Sequence, residues 1–86
     1  MSKTIKVEPH KAFISEDIIS MWNGVLIWSE PKSAVEEAQV IDKIREPIEV
    51  TVLEVQKDSY LRPERARIRY NGGREGWVLY DALIKK

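Results

Sequence analysis

The sequence predicts a small all-β domain, and three observations carry that reading. Apolar residues recur mainly at period two or in short continuous runs, the pattern of strands rather than helices. Two turn signals, Asn23-Gly24 and Asn71-Gly72-Gly73, each sit between apolar runs. At 86 residues the chain makes one domain, since a typical domain holds roughly 100 residues and neither half would have a core of its own.

The elements follow in order. Residues 4–7 read as a short edge strand ended by Pro9, residues 12–14 as a second strand and residues 17–22 as a third. Asn23-Gly24 accepts positive φ at both central turn positions and so predicts a tight hairpin between the runs 18–22 and 25–28. Residues 33–44 carry two patterns. Ala34, Val35, Ala38 and Ile41 have helical spacing, and Ser33 with Glu36 and Glu37 resembles a helix start, but Pro47 sets a boundary close behind. The reading adopted is a long loop with one helical turn near residues 34–37, then a strand over 39–44.

Residues 48–55 form the strongest strand, rich in β-branched side chains. Its alternation changes phase: Ile48, Val50 and Val52 share one face, then Leu53 and Val55 take the other. A bulge or sharp bend that lets one strand serve two sheets is the expected cause. Asn71-Gly72-Gly73 predicts a second hairpin, between residues 66–70 and 76–80.

Composition narrows the function. Charged residues make up 33% and hydrophobic residues 43%, a globular balance rather than a disordered one. Fourteen basic residues match fourteen acidic ones, so no global field draws the chain to nucleic acid or membrane, although residues 1–46 carry net −2 and residues 47–86 net +2. There is no cysteine and one histidine, His10, so a thiolate metal site, a zinc site and a Ser-His-Asp arrangement all lack their parts. Glu30, Glu36, Glu37 and Asp42 do not form a calcium-loop pattern. The expectation is a non-enzyme with no cofactor, no metal and no small-molecule substrate. The absence of a signal-like or membrane-spanning run points to a cytoplasmic protein with no membrane partner.

Four stretches then line up: Leu26-Ile27-Trp28-Ser29-Glu30-Pro31-Lys32-Ser33, Ile48-Glu49-Val50-Thr51-Val52-Leu53, the arginine-rich strand, and Gly73-Arg74-Glu75-Gly76-Trp77-Val78. Their order resembles a bacterial Src-homology-3-like (SH3-like) barrel domain. The resemblance implies a barrel of about five strands over residues 24–86, with a 3₁₀ turn at 79–82 and a closing strand at 83–85. Residues 1–23 would be an extension packing on the barrel, adding a strand or hairpin or covering an edge. Eukaryotic relatives bind Pro-rich peptides on aromatics and a proline before the 3₁₀ turn. Here that proline position falls on Leu79 and the later tyrosine position on Ala82, so the standard PxxP groove is not expected.

Two functional readings remain. The first is a protein or peptide partner bound through Trp77, Tyr80, Trp28 and the acidic loop with Glu36 and Glu37. In the family pattern Val78 is core and Trp77 partly exposed, an anchor or a lid; Trp28 lines the same groove or joins the core. Trp22, beside the tight turn, is expected to pack across strands. The second reading is nucleic-acid or polyanion binding through Arg62, Arg65, Arg67, Arg69 and Arg74. Strand alternation puts Arg65, Arg67 and Arg69 on one face and Ala66, Ile68 and Tyr70 inward. The plainer alternative is a solvated face on which Glu49, Thr51 and Glu54 of the neighbouring strand pair with those arginines.

Overall fold

In the computed structural model, residues 3–30, 39–58 and 60–85 are described. Seven strands form one antiparallel sheet: β1 (Lys3–Ile14), β2 (Val25–Trp28), β3 (Val40–Ile44), β4 (Ile48–Lys57), β5 (Pro63–Tyr70), β6 (Arg74–Leu79) and the two-residue β7 (Ile84–Lys85). A short helix, α1 (Glu16–Trp22), follows β1, and a 3₁₀ turn (Tyr80–Ala82) precedes β7. The sheet order is β3-β2-β6-β5-β4-β1-β7. The expected mostly β domain is therefore present, but the ladder does not close into a barrel: β3 and β7 stand at its two ends. The domain still measures 33 × 27 × 24 Å, whereas two flat stacked sheets lie only about 10 Å apart. The open sheet curls around its own core.

The curl begins in β4. This strand pairs with β1 on one side and β5 on the other, and both ladders shift register around Leu53. Against β5, Val52 faces Ile68 and Glu54 faces Arg67, so Leu53 is the extra residue of a bulge. The phase change read from the sequence is this bulge. It lets Val50 and Val52 face the core before the shift and Val55 after it. They pack with Ala12 and Ile14 of β1, Val25 and Ile27 of β2, Ile44 of β3, Ala66, Ile68 and Tyr70 of β5, Val78 and Ala82.

Two expectations at the N-terminus need correction. Pro9 does not end a strand: β1 runs through it as one twelve-residue element between β4 and β7. Its ladder with β4 breaks between Lys6 and His10, so the proline, which has no N–H to give, sits where none is demanded. Nor are residues 17–22 a strand. They belong to α1, where the Ser15 hydroxyl accepts the Ile18 N–H at 3.4 Å and Glu16 and Asp17 occupy the first turn. Ile18, Ile19 and Trp22, at helical spacing, pack against the core.

Asn23-Gly24 accordingly ends a helix instead of turning a hairpin. Asn23 adopts φ 55°, and the Gly24 N–H donates to the Ile19 carbonyl at 2.8 Å. A helix C-cap and a tight hairpin turn ask for the same left-handed backbone, so the dipeptide alone does not distinguish them. The second signal acts as expected. Asn71, Gly72 and Gly73 all have positive φ, joining β5 to β6 with Tyr70 opposite Arg74. The 3₁₀ turn and the closing strand also lie where expected, and β7 pairs with Ala12 and Phe13 of β1. The strand expected at 39–44 is β3; the helical turn near 34–37 lies outside the described residues.

The β2–β3 hairpin meets the rest of the sheet through one registered pair, Trp28 with Trp77. Two further contacts hold it. Gly76 lets Ile27 approach so closely that a Cβ there would collide with the Ile27 Cγ2. Across β3, the Tyr70 hydroxyl donates to Asp42 Oδ2 at 2.9 Å, and the same oxygen accepts from Arg74 at 3.2 Å. The Lys43 backbone N–H, then the Tyr70 hydroxyl and Arg74, hold the Asp42 carboxyl below the usual carboxylate range. Burial, reinforced by that carboxylate, pushes the Tyr70 phenol up to about 12.

Two outcomes are expected. Gly76→Ala should lower stability by about 1–3 kcal/mol in denaturant unfolding, the cost of overpacking a close contact. In an alkaline absorbance titration, one of the three tyrosines should ionise near 12, and Tyr70→Phe should remove that step. Because the folded value is raised, Tyr70's contribution to stability is complete below the ordinary tyrosine range near 10 and is lost as pH climbs through about 12. For Asp42 the sign reverses: its contribution holds above the ordinary aspartate range and falls away at acid pH.

Candidate functional site: an apolar cleft beside an arginine ladder

The alternation of β5 divides the molecule into two faces. Ala66, Ile68 and Tyr70 are buried in the core, while Arg65, Arg67 and Arg69 emerge on the outer face. Registered neighbours share that face. Arg69 lies between Thr51 and Glu75, Arg67 between Glu54 and Trp77, and Arg65 between Gln56 and Leu79.

The arginines are mostly engaged with acids. Arg67 donates to Glu54 Oε2 at 2.5 Å and also to Glu75. Arg69 reaches Glu75 at 3.4 Å. Arg74 meets Asp42, as described above. Arg62 lies off the ladder, in the β4–β5 loop, where Asp58 takes its side chain at 3.2 Å and accepts the backbone N–H groups of Tyr60 and Arg62. Those backbone bonds, with Arg62, hold Asp58 below the ordinary carboxylate range. Of the expected acceptors, Glu54 binds Arg67 and Thr51 faces Arg69; Glu75, two residues past the turn, is an acid the strand pattern did not single out.

Arg65 differs. Its guanidinium carbon lies 5.2 Å from the centroid of the Trp28 ring, a cation–π contact, and no carboxylate among the described residues pairs with it. Arg65 and Trp28 line a cleft of about 170 Å³ together with Trp22, Val25, Leu26 and Leu79. Its walls come from four elements: the last residue of α1, strand β2, Arg65 of β5 and the last residue of β6. Leu26 and Leu79 remain 40% and 42% exposed. The lining is mainly apolar, with Arg65 the charged group in it.

The proposed partner-binding residues are not all brought together. Trp28 is half-buried and sits in the cleft. Trp77 is not partly exposed as the resemblance implied: it is 6% exposed, and Val78 beside it is fully buried. Its registered neighbours on the two flanking strands are Trp28 and Arg67. Tyr80 packs on the core from the 3₁₀ turn and does not line the cleft. Glu36 and Glu37 lie outside the described residues.

Trp22, Leu26 and Leu79 are the cleft residues that strand reasoning did not assemble. The usable signal was the helix. Ser15 followed by Glu16-Asp17 is a capping sequence, and a helix from there turns Trp22 toward β2. Among the described residues no cluster of three or more His, Asp or Glu side chains is placed to hold a metal ion, and no helix is long and apolar enough to cross a membrane. In comparisons with known proteins, no family model fits the chain, and no curated protein or solved structure is significantly similar to it.

Trp77→Ala should behave as a core truncation, lowering stability by about 3–5 kcal/mol in urea unfolding. A change of less than 1 kcal/mol would show that the indole is a surface group after all.

Proposed function

We propose that this chain is a non-catalytic binding module of the SH3-like kind, in an open form, that takes a protein or peptide partner in the cleft of Trp22, Leu26, Trp28 and Leu79. The cleft is the observation that carries the reading. Small-molecule and cofactor pockets commonly enclose about 300–1,000 Å³, and about 170 Å³ suits one anchored side chain of a larger partner. Tryptophans and an arginine are the residues most often found at such anchor points.

The order of elements supports the family resemblance. An apolar strand, β4, leads to the β5–β6 hairpin, then a 3₁₀ turn, then a closing strand. The departure from the standard PxxP groove has support as well. Leu79 stands at the proline position, and Ala82, at the tyrosine position, is fully buried and offers no surface.

Polyanion binding is the weaker reading, because Arg62, Arg67, Arg69 and Arg74 each have a carboxylate within 4 Å. A phosphate chain would have to displace those acids before it released any counterion.

Selection of a random twelve-residue peptide library displayed on phage, against immobilised protein, tests the proposal. Peptides should be recovered whose binding falls at least ten-fold in Leu79→Asp and Leu26→Asp, with Tm essentially unchanged because both side chains are substantially exposed. Failure to recover peptides, alongside salt-sensitive binding of a labelled oligodeoxythymidine that is lost in Arg65→Gln/Arg67→Gln/Arg69→Gln, would replace this reading with the polyanion one.

A further inference from the structure

We infer that the cleft selects a peptide segment in which an apolar side chain stands next to an Asp or Glu, the apolar group entering between Leu26, Trp22 and Leu79 and the carboxylate meeting Arg65. The inference rests on the binding reading above and names its ligand class.

Charge complementarity at Arg65 names the ligand class. Each of the other four arginines singled out in the sequence already has an acid of this chain beside it: Asp58 for Arg62, Glu54 and Glu75 for Arg67, Glu75 for Arg69, and Asp42 for Arg74. At Arg65 the registered neighbours are Gln56 and Leu79, and neither carries charge. The Trp28 ring takes one face of the guanidinium but supplies no lone pair along an N–H direction. The Arg65 Nε is buried and has no hydrogen-bond acceptor among the described residues. No hydrogen bond among the described residues holds its other guanidinium N–H groups either, and those, not the enclosed Nε, are the donors a guest can meet. A cation in an apolar cleft, with a donor unspent, is the complement of an acid joined to an apolar side chain.

The form of the acid also follows. A guanidinium presents a planar fork that a carboxylate fills with two parallel bonds. Phosphorylated peptides are gripped by clusters of free arginines, and the neighbours Arg67 and Arg69 are already neutralised. Chain termini are caught by runs of converging backbone N–H groups, whereas the charged donor lining this cleft is a side chain. An internal Asp or Glu fits best.

The peptides recovered from the twelve-residue library provide the test, each resynthesised with an amidated C-terminus, with its Asp or Glu changed to Asn or Gln, and with a free C-terminus. Fluorescence polarisation should show a loss of about ten-fold or more for the amide form, the size of one charge-assisted hydrogen bond. That discrimination should vanish in Arg65→Gln, weaken in Arg65→Lys, which keeps the charge but loses the fork, and persist in Arg69→Gln. Unfolding curves on all three variants separate a folding defect from a lost contact. Peptides that bind and are blocked by Leu79→Asp, yet show no preference for an acid, would overturn this inference and leave the binding reading standing. A requirement for a free C-terminus, or for phosphate in place of carboxylate, would overturn it too. Recovery of no peptide at all would overturn both readings.

Discussion

The bulge at Leu53 is the constraint on which the rest of the architecture depends. β4 carries a long ladder on each side, β1 on one and β5 on the other, and both lose register at the same place. A sheet with no such shift would keep every second residue of β4 on one face throughout. Here Val50 and Val52 serve the core up to the bulge and Val55 serves it beyond. The strand thereby bends with the sheet instead of lying across it. The β2–β3 hairpin and the 3₁₀ turn both give residues to that core, and β2 lies alongside β6. The cleft between Leu26 and Leu79 is a product of that bend.

The outer face shows how a neutral protein distributes its charge. Fourteen cations and fourteen anions do not spread evenly: β5 alone carries three arginines on one side. Left unpaired, three like charges at successive outward positions would repel one another. Glu54 and Glu75 bracket Arg67, and Glu75 also reaches Arg69, so most of the strip is neutralised by its neighbours. These are partly exposed pairs, and such pairs add little stability individually. Their importance lies in contrast. Arg65 sits at the end of the same ladder with an aromatic ring where its neighbours have acids, and it is the position that adjoins the cleft.

Much of the fold was legible because strand alternation is a strict geometric code. The inward Ala66, Ile68 and Tyr70, the hairpin at Asn71-Gly72-Gly73, the phase change in β4 and the 3₁₀ turn after β6 all follow from local pattern and appear where that pattern puts them. Two kinds of information escaped it. Asn23-Gly24 demands a left-handed backbone but not a particular partner, so a helix end was read as a hairpin turn, and the seven-residue helix that turns Trp22 toward β2 went unseen. Trp77 illustrates the second kind. Alternation tells which face a side chain takes, not how much material lies over it there, and this indole is only 6% exposed. The closure expected of a barrel also failed, since it depends on how strands far apart in sequence meet at the edges.

The single registered pair between β2 and β6 has a consequence for how this molecule moves. Leu26 and Trp28 belong to the hairpin on one side of that joint, while Arg65 and Leu79 belong to the main sheet on the other. The cleft therefore straddles the joint between the hairpin and the main sheet, which share one core. Local opening occurs along the boundaries with the fewest backbone bonds, so the seam, held by Trp28 against Trp77 and by Asp42 against Tyr70, is the natural place for such an opening. The width of the cleft is then an equilibrium property of that boundary, and a guest that bridges it fastens the hairpin to the sheet.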